Sequence, residues 1–196
     1  MSNEATRKTL IKCMNKLVRE NPFSRISIED ICSMAHVSRR TFYRYFSDKY
    51  DILAATYFEC FFSKIDIRDD DTFWSIFAKV CLQIYSEKSF FSHAIGVKGQ
   101  NGFWEETKKL LFPYMCRDYP ITEDIQDTVH FYIYNDLDVL FQLIERWIHD
   151  DFVQSPEKFS AFAHDSFKVH GRWVYEAATG RPRTEYAQHK IDSGEW

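Results

Sequence analysis

Glycine and proline are scarce: six and five residues in a chain of 196. Strand-rich folds consume turn residues and doubly wound sheets need glycine in their loops, so this scarcity argues against both. It fits helices joined by short connections. Cysteine is present but unorganised. Cys13, Cys32, Cys60, Cys81 and Cys116 are odd in number, far apart and form no Cys-x-x-Cys pair. Reduced thiols in a cytoplasmic protein are the expectation. No apolar stretch approaches 18 residues, and the N-terminal segment lacks an apolar core, so neither a membrane span nor a signal peptide is expected. Nor is there a Gly-x-Ser-x-Gly elbow, a His-Glu-x-x-His pair or a Walker loop. The sequence thus offers no catalytic residues, metal site or cofactor to assign, and a non-enzyme is expected.

What is abundant is aromatic and charged. Phe, Tyr and Trp make up 17% of the chain, and hydrophobic residues 45%, enough for a sizeable core. The net charge of −4 conceals a division. Residues 1–50 carry ten Lys/Arg against five Asp/Glu, and the remainder fifteen against twenty-four. A basic head on an acidic body points to a head that meets a polyanion.

Within that head, Leu10, Ile11, Met14, Leu17 and Val18 fall on one face of a helix that Asn21-Pro22 ends. Ser27 followed by Asp30 reads as a capping box opening a second helix, with Ile28, Ile31, Cys32 and Ala35 as its buried stripe. His36-Val37 makes a turn, and Ser38 caps a third helix over 39–46. There Phe42 and Phe46 point inward, leaving Arg39, Arg40, Tyr43 and Arg44 outside. Ser47-Asp48 caps a fourth helix starting at Lys49. Two short helices around a tight turn, the second basic and aromatic on its outer face, describe a helix-turn-helix.

Residues 26–53 resemble the DNA-binding domain of TetR-family transcriptional regulators. Ala35, Val37, Ser38, Thr41, Tyr43, Tyr45, Phe46, Lys49 and Leu53 match the family pattern, within a head spanning about residues 8–55. Two positions depart from it. Cys32 stands where alanine is usual and His36 where glycine is usual. If the turn needs φ > 0, His36 bears a modest strain. The resemblance implies an all-α fold of about nine helices: a helix-turn-helix domain over 1–48, a helical effector-binding and dimerisation domain over 49–180, and a polar tail over 181–196.

It also implies roles. Arg39 and Arg40 can aim their guanidinium forks at guanine O6 and N7, and Thr41 can reach a base edge or a phosphate. The residues matching Tyr43, Tyr45 and Lys49 usually touch phosphates. Ser27 and the start of its helix offer N–H groups to an anion. With Ser38 and Arg44 these residues make up the expected DNA-facing set.

In the body, helices are predicted at about 49–64, 72–87, 89–97, 102–118, 122–150 and 156–178. Gly96, Gly99 and Gly102 read as a flexible linker. The apolar stripes containing Leu137, Leu140 and Ile144, and Phe159, Phe162, Phe167 and Val174, suit a two-fold four-helix seam of the kind the family uses. The same stripes must also cover their own core, and the sequence does not divide the two jobs. The central aromatics allow core filling or an effector pocket. Phe77, Cys81, Phe103, Trp104, Phe131 and Tyr134, with His93 and His130 as polar anchors, are the pocket candidates. The functional expectation is a homodimeric repressor on a palindromic double-stranded operator, released by a small apolar or aromatic effector. The alternative is a coregulator whose body binds a protein.

Overall fold

A computed structural model describes residues 3–95, 103–117 and 126–180. Among them the chain is all-helical, with nine α-helices and two short 3-10 turns. The predicted glycine linker at 96–102 and the tail at 181–196 lie outside the described residues. No helix among those described is long and apolar enough to cross a membrane.

The first helix, α1, covers Asn3–Glu20, and its apolar face is buried at Leu10, Ile11, Met14 and Val18. A 3-10 turn at Phe23–Arg25 leads to α2, Ile28–Ala35. The capping box is present in full. Ser27 N–H donates to Asp30 Oδ2 at 2.8 Å, and Asp30 N–H donates to Ser27 Oγ at 3.2 Å. Helix α2 ends in a left-handed residue, His36, at φ 53° and ψ 43°. Its successor α3 is shorter than predicted, Arg39–Tyr43, although Phe46 N–H still donates to Phe42 O at 3.1 Å. Asp48 then caps α4, Lys49–Cys60, accepting from Tyr50 and Asp51 N–H at 2.8 Å.

A non-glycine residue in the left-handed region costs about 1 kcal/mol. His36 is exposed, so its side chain contributes little packing to offset that strain. The His36→Gly variant is therefore expected to melt ~2–4 °C higher. A midpoint at or below that of the parent in a calorimetric scan would show that the turn is unstrained.

Helix α4 stops four residues earlier than the periodicity predicts. Phe61 leaves helical geometry at φ −125° and ψ −58°, and a 3-10 turn at Phe62–Lys64 follows. The break lets Phe61 enter the core, 4.7 Å from Phe90 and 5.5 Å from Phe91. The body continues with α5, Phe73–Ser86, α6, Lys88–Ala94, and α7, Phe103–Arg117. It closes with α8, Gln126–His149, and α9, Pro156–Thr179. Gly180, at φ +65°, is the left-handed residue that ends α9.

Helix α5 packs along α9. Phe77 faces Phe159 across that seam at 6.4 Å, and Phe159 in turn stacks on Trp147 at 4.4 Å. The α8–α9 corner holds two successive left-handed residues, Asp151 and Phe152. Burial of the Phe152 ring, 5.0 Å from Trp147 and 5.8 Å from Tyr85, opposes the strain there. Trp147 Nε1 also donates to Gln154 O at 3.0 Å.

Head and body meet along α1, which packs against both α4 and α6. The His93 Nδ1 atom lies 2.8 Å from Val18 O. Arg19 pairs with Glu87 and stands 5.9 Å above the Phe61 ring, while Arg7 pairs with Glu59.

Candidate nucleic-acid interface

Helix α3 is a short rod held at its start and from below. At its start Ser38 Oγ accepts from Thr41 N–H at 3.1 Å and lies 2.9 Å from Thr41 Oγ1. Beneath it Phe42 is wholly buried, with Phe46 at 5.9 Å. With that face committed inward, Arg39, Arg40, Tyr43 and Arg44 are all exposed, as their spacing predicts. An open groove of about 640 Å³ runs beside Arg39, lined by Glu29, Cys32, Ser33, His36 and Val37.

The nine DNA-facing candidates differ in what their polar groups already do. Arg39 and Tyr43 stand one turn apart on the exposed face of α3, and the neighbouring Tyr43 hydroxyl, with the field of Glu29, holds the guanidinium even more firmly protonated than usual. Arg40 is exposed and, among the described residues, makes no hydrogen bond or ion pair. Arg44 Nη2 donates to Tyr45 Oη at 2.9 Å, with its guanidinium carbon 4.9 Å from that ring's centroid. Thr41 and Ser38 are engaged with each other in the cap.

Two of the nine are committed inside the head. The Lys49 ammonium turns away from the α3 face, donating to Ile26 O at 3.0 Å, Phe23 O at 3.3 Å and Ser24 O at 3.5 Å. It closes the carbonyl end of the 3-10 turn and covers the Phe23 ring at 4.6 Å. Ser27 Oγ donates to Asp30 Oδ2 at 2.6 Å. Glu29 and Asp30 fill the first turn of α2, where their negative charge is set against the positive end of the helix dipole. Hydrogen bonds from Ser27 hold the Asp30 carboxyl below the usual carboxylate range.

Glu29 is the residue that sequence reasoning missed. It lies ten positions before Arg39, and only the folding back of α3 onto α2 brings both to one groove. Cys32, in the same groove, is buried, and desolvation raises its thiol pKa, so the departure from alanine adds volume and no reactive thiolate.

The body candidates do not converge on one place. Phe77 and Cys81 lie in the closed core, and desolvation keeps the Cys81 thiol protonated. His93 is turned to α1 through Val18 O. Phe131 and Tyr134 stand on the surface at 66% and 46% exposure. Tyr134 stacks on Phe112 at 4.5 Å and His130 meets the same ring at 5.1 Å. The side chains of Phe103 and Trp104 lie outside the described residues.

Of the expected seam residues, Leu137, Leu140, Ile144, Phe159 and Phe167 are buried within the single chain, where they cover its own core. Phe162 alone of the named stripe is exposed, at 60%. The Val174 side chain lies outside the described residues. The physical reason is the demand of the core: α5 needs one face of α9, and α7 needs one face of α8.

Comparison with known proteins agrees with this geometry. Residues 15–56 match the model of bacterial regulatory proteins of the tetR family. Residues 71–168 match the model of a transcriptional regulator C-terminal region. The chain is 28% identical over 96 residues to the HTH-type dhaKLM operon transcriptional activator DhaS of Lactococcus lactis subsp. lactis (strain IL1403). That stretch covers 49% of this chain and 51% of the relative, so the match spans about half the length of each. The solved structure of the dihydroxyacetone kinase operon activator DhaS shares the fold, with a TM-score of 0.57 at 17% identity. The alignment covers 84% of this chain and 95% of that one. Two family models, one on the helix-turn-helix head and one on the helical body, account for most of the sequence: the chain belongs to the TetR family of bacterial transcriptional regulators, transcription factors and not enzymes.

Proposed function

We propose that the chain regulates transcription as a homodimer that binds a palindromic operator and represses until a small apolar or aromatic effector releases it. The observation that carries the DNA-binding part is the outward set on α3. Arg39, Arg40 and Tyr43 stand exposed on a helix whose opposite face is fixed by buried Phe42. One such helix reads few bases, and a two-fold pair reads two half-sites a helical turn or more apart. The large apolar groups still exposed on the last two helices, Phe131, Val139 and Phe162, supply the dimer face in place of the buried stripes. Effector control requires tighter binding to the DNA-free form, with about 1.4 kcal/mol of coupling for each tenfold loss of operator affinity.

A second reading has a specific observation behind it. The curated relative is named an operon activator. Phe77 and Cys81, the innermost pocket candidates, are packed without exposure. Both favour a regulator that activates and whose body answers to a protein partner.

The two readings part in one experiment. Purified protein is used to select duplex DNA from a random library, and the enriched site is placed before a reporter in cells with and without the protein. Enrichment of an inverted repeat, bound by two chains in sedimentation, is the expected result. Loss of the protein then raises reporter output for a repressor and lowers it for an activator. A site without two-fold symmetry, or one bound by a single chain, would sink the homodimer.

A further inference from the structure

We propose that the adjacent residues Glu87 and Lys88 form a two-sided clamp that ties the α8–α9 corner of the body to α1 of the head. A shift of either is thereby passed to the other. The clamp belongs to the free protein and does not depend on the operator-binding reading above.

Glu87 is the single residue between α5 and α6, and its backbone leaves helical geometry at φ −119° and ψ 33°. At this kink two neighbouring side chains serve different partners. Glu87 pairs with Arg19 in the last turn of α1. Arg19 Nε also donates to Asn15 Oδ1 at 3.1 Å, and its guanidinium covers the Phe61 ring, which lies against Phe90 and Phe91 of α6. Near the other end of α6, His93 Nδ1 meets Val18 O at 2.8 Å. Helix α6 is thus fastened to α1 at both ends, and the two move as one piece.

Lys88 serves the body. Its ammonium lies 3.8 Å from the centroid of the Tyr85 ring and 4.9 Å from that of Phe152. Trp147 completes the group, stacked on Tyr85 at 6.1 Å and edge-on to Phe152 at 5.0 Å. A cation so close to ring faces is attracted by their quadrupoles, the more so where water is partly excluded, and Lys88 is half-buried. Phe152 is delivered to this group by two successive left-handed residues, Asp151 and itself. Such backbone persists where its surroundings over-determine it, and here the rings and the Lys88 ammonium do so. A partner that shifts α8 against α5 must then either break the Lys88 contact or drag α6, and with it α1. Because α1 packs against α2 and α4, the head follows.

The test is hydrogen–deuterium exchange of the full chain and of its Lys88→Met, Lys88→Arg, Glu87→Gln and Glu87→Gln/Lys88→Met variants. Two sets of hydrogen-bonded amides report: Asp150, Asp151 and Phe152 at the corner, and the end of α1 with Asn21. Lys88→Met keeps an unbranched apolar stem and removes the charge. It is expected to speed exchange about threefold at the corner and measurably at the end of α1, which Lys88 does not contact. Glu87→Gln speeds the end of α1 and, reciprocally, the corner. In the double variant the loss of Lys88 adds nothing further at α1, because the link is already cut. Lys88→Arg, which keeps a cation over the rings, exchanges like the parent. The clamp is overturned if Lys88→Met leaves α1 unchanged, or if the two substitutions act additively there. It is equally overturned by a rise shared evenly by every helix, which would mean lost global stability and no link, or by Lys88→Arg behaving as Lys88→Met does.

Discussion

The Arg39→Ala/Arg40→Ala double variant is expected to bind the operator no better than unrelated DNA. Each bidentate contact to guanine is worth about 1–3 kcal/mol of discrimination, and a dimer loses one from each head. Removing a second exposed cation at the same time lowers the base level of affinity on which that discrimination acts. Together the losses come to about 10³-fold or more at moderate salt, comparable with the usual gap between specific and non-specific binding. Stability should not follow. Both side chains are exposed, and the Ser38 cap and buried Phe42 that hold α3 are untouched. Titration of labelled operator, with a thermal melt of the same sample, checks both halves. Retained affinity and motif would mean that α3 is not the reading helix. A collapsed melting point would mean that the arginines were structural.

The Phe42→Ala variant should fail at the same assay for the opposite reason. Phe42 is 0% exposed, and its ring touches Phe46 and Tyr43 at 5.9 and 5.5 Å. Deleting a buried phenylalanine ring typically costs about 3–5 kcal/mol. The loss falls on a helix of five residues, far below the length that sustains itself in water. The variant should unfold at clearly lower urea concentration and lose operator binding although no DNA contact has been removed. Ser38→Ala, which removes only the cap, should cost about 1 kcal/mol and serves as the graded control. A Phe42→Ala protein with unchanged urea midpoint would show that the head does not depend on this anchor.

Those two variants also mark where the sequence was informative. Local chemistry was readable. Ser27, Ser38 and Asp48 cap where a side-chain oxygen three residues or fewer before free N–H groups predicts. Phe42 and Phe46, four apart, are both buried. His36 takes the left-handed conformation that its place in the turn requires. What periodicity lacks is the identity of the opposing surface. It correctly puts Leu137, Leu140 and Ile144 on one face, yet whether that face meets its own α7 or a second chain is decided by tertiary packing. Phe162 shows how narrow the core stripe is. The stripe through Phe159, Ala163 and Phe167 satisfies the core, and the neighbouring position is turned outward. Lys49 shows a different limit of the sequence. Its carbonyl acceptors belong to a 3-10 turn at Phe23–Arg25 that the sequence did not announce. The pocket candidates share only mid-helix positions, a criterion that says nothing about convergence in space.

The left-handed turn between α2 and α3 also bears on how this sequence can drift. An exposed residue ordinarily tolerates almost any replacement, because no neighbour constrains its volume. His36 is exposed, yet its backbone at φ 53° admits glycine, asparagine or aspartate readily and β-branched residues hardly at all. A valine there would move strain into the angle between the two helices, and the Arg39 fork would shift relative to Glu29 by whatever the hinge yields. Mutational tolerance at this point is thus set by backbone torsion and not by burial. The most permissive-looking site on the surface of the head is among the least free to vary.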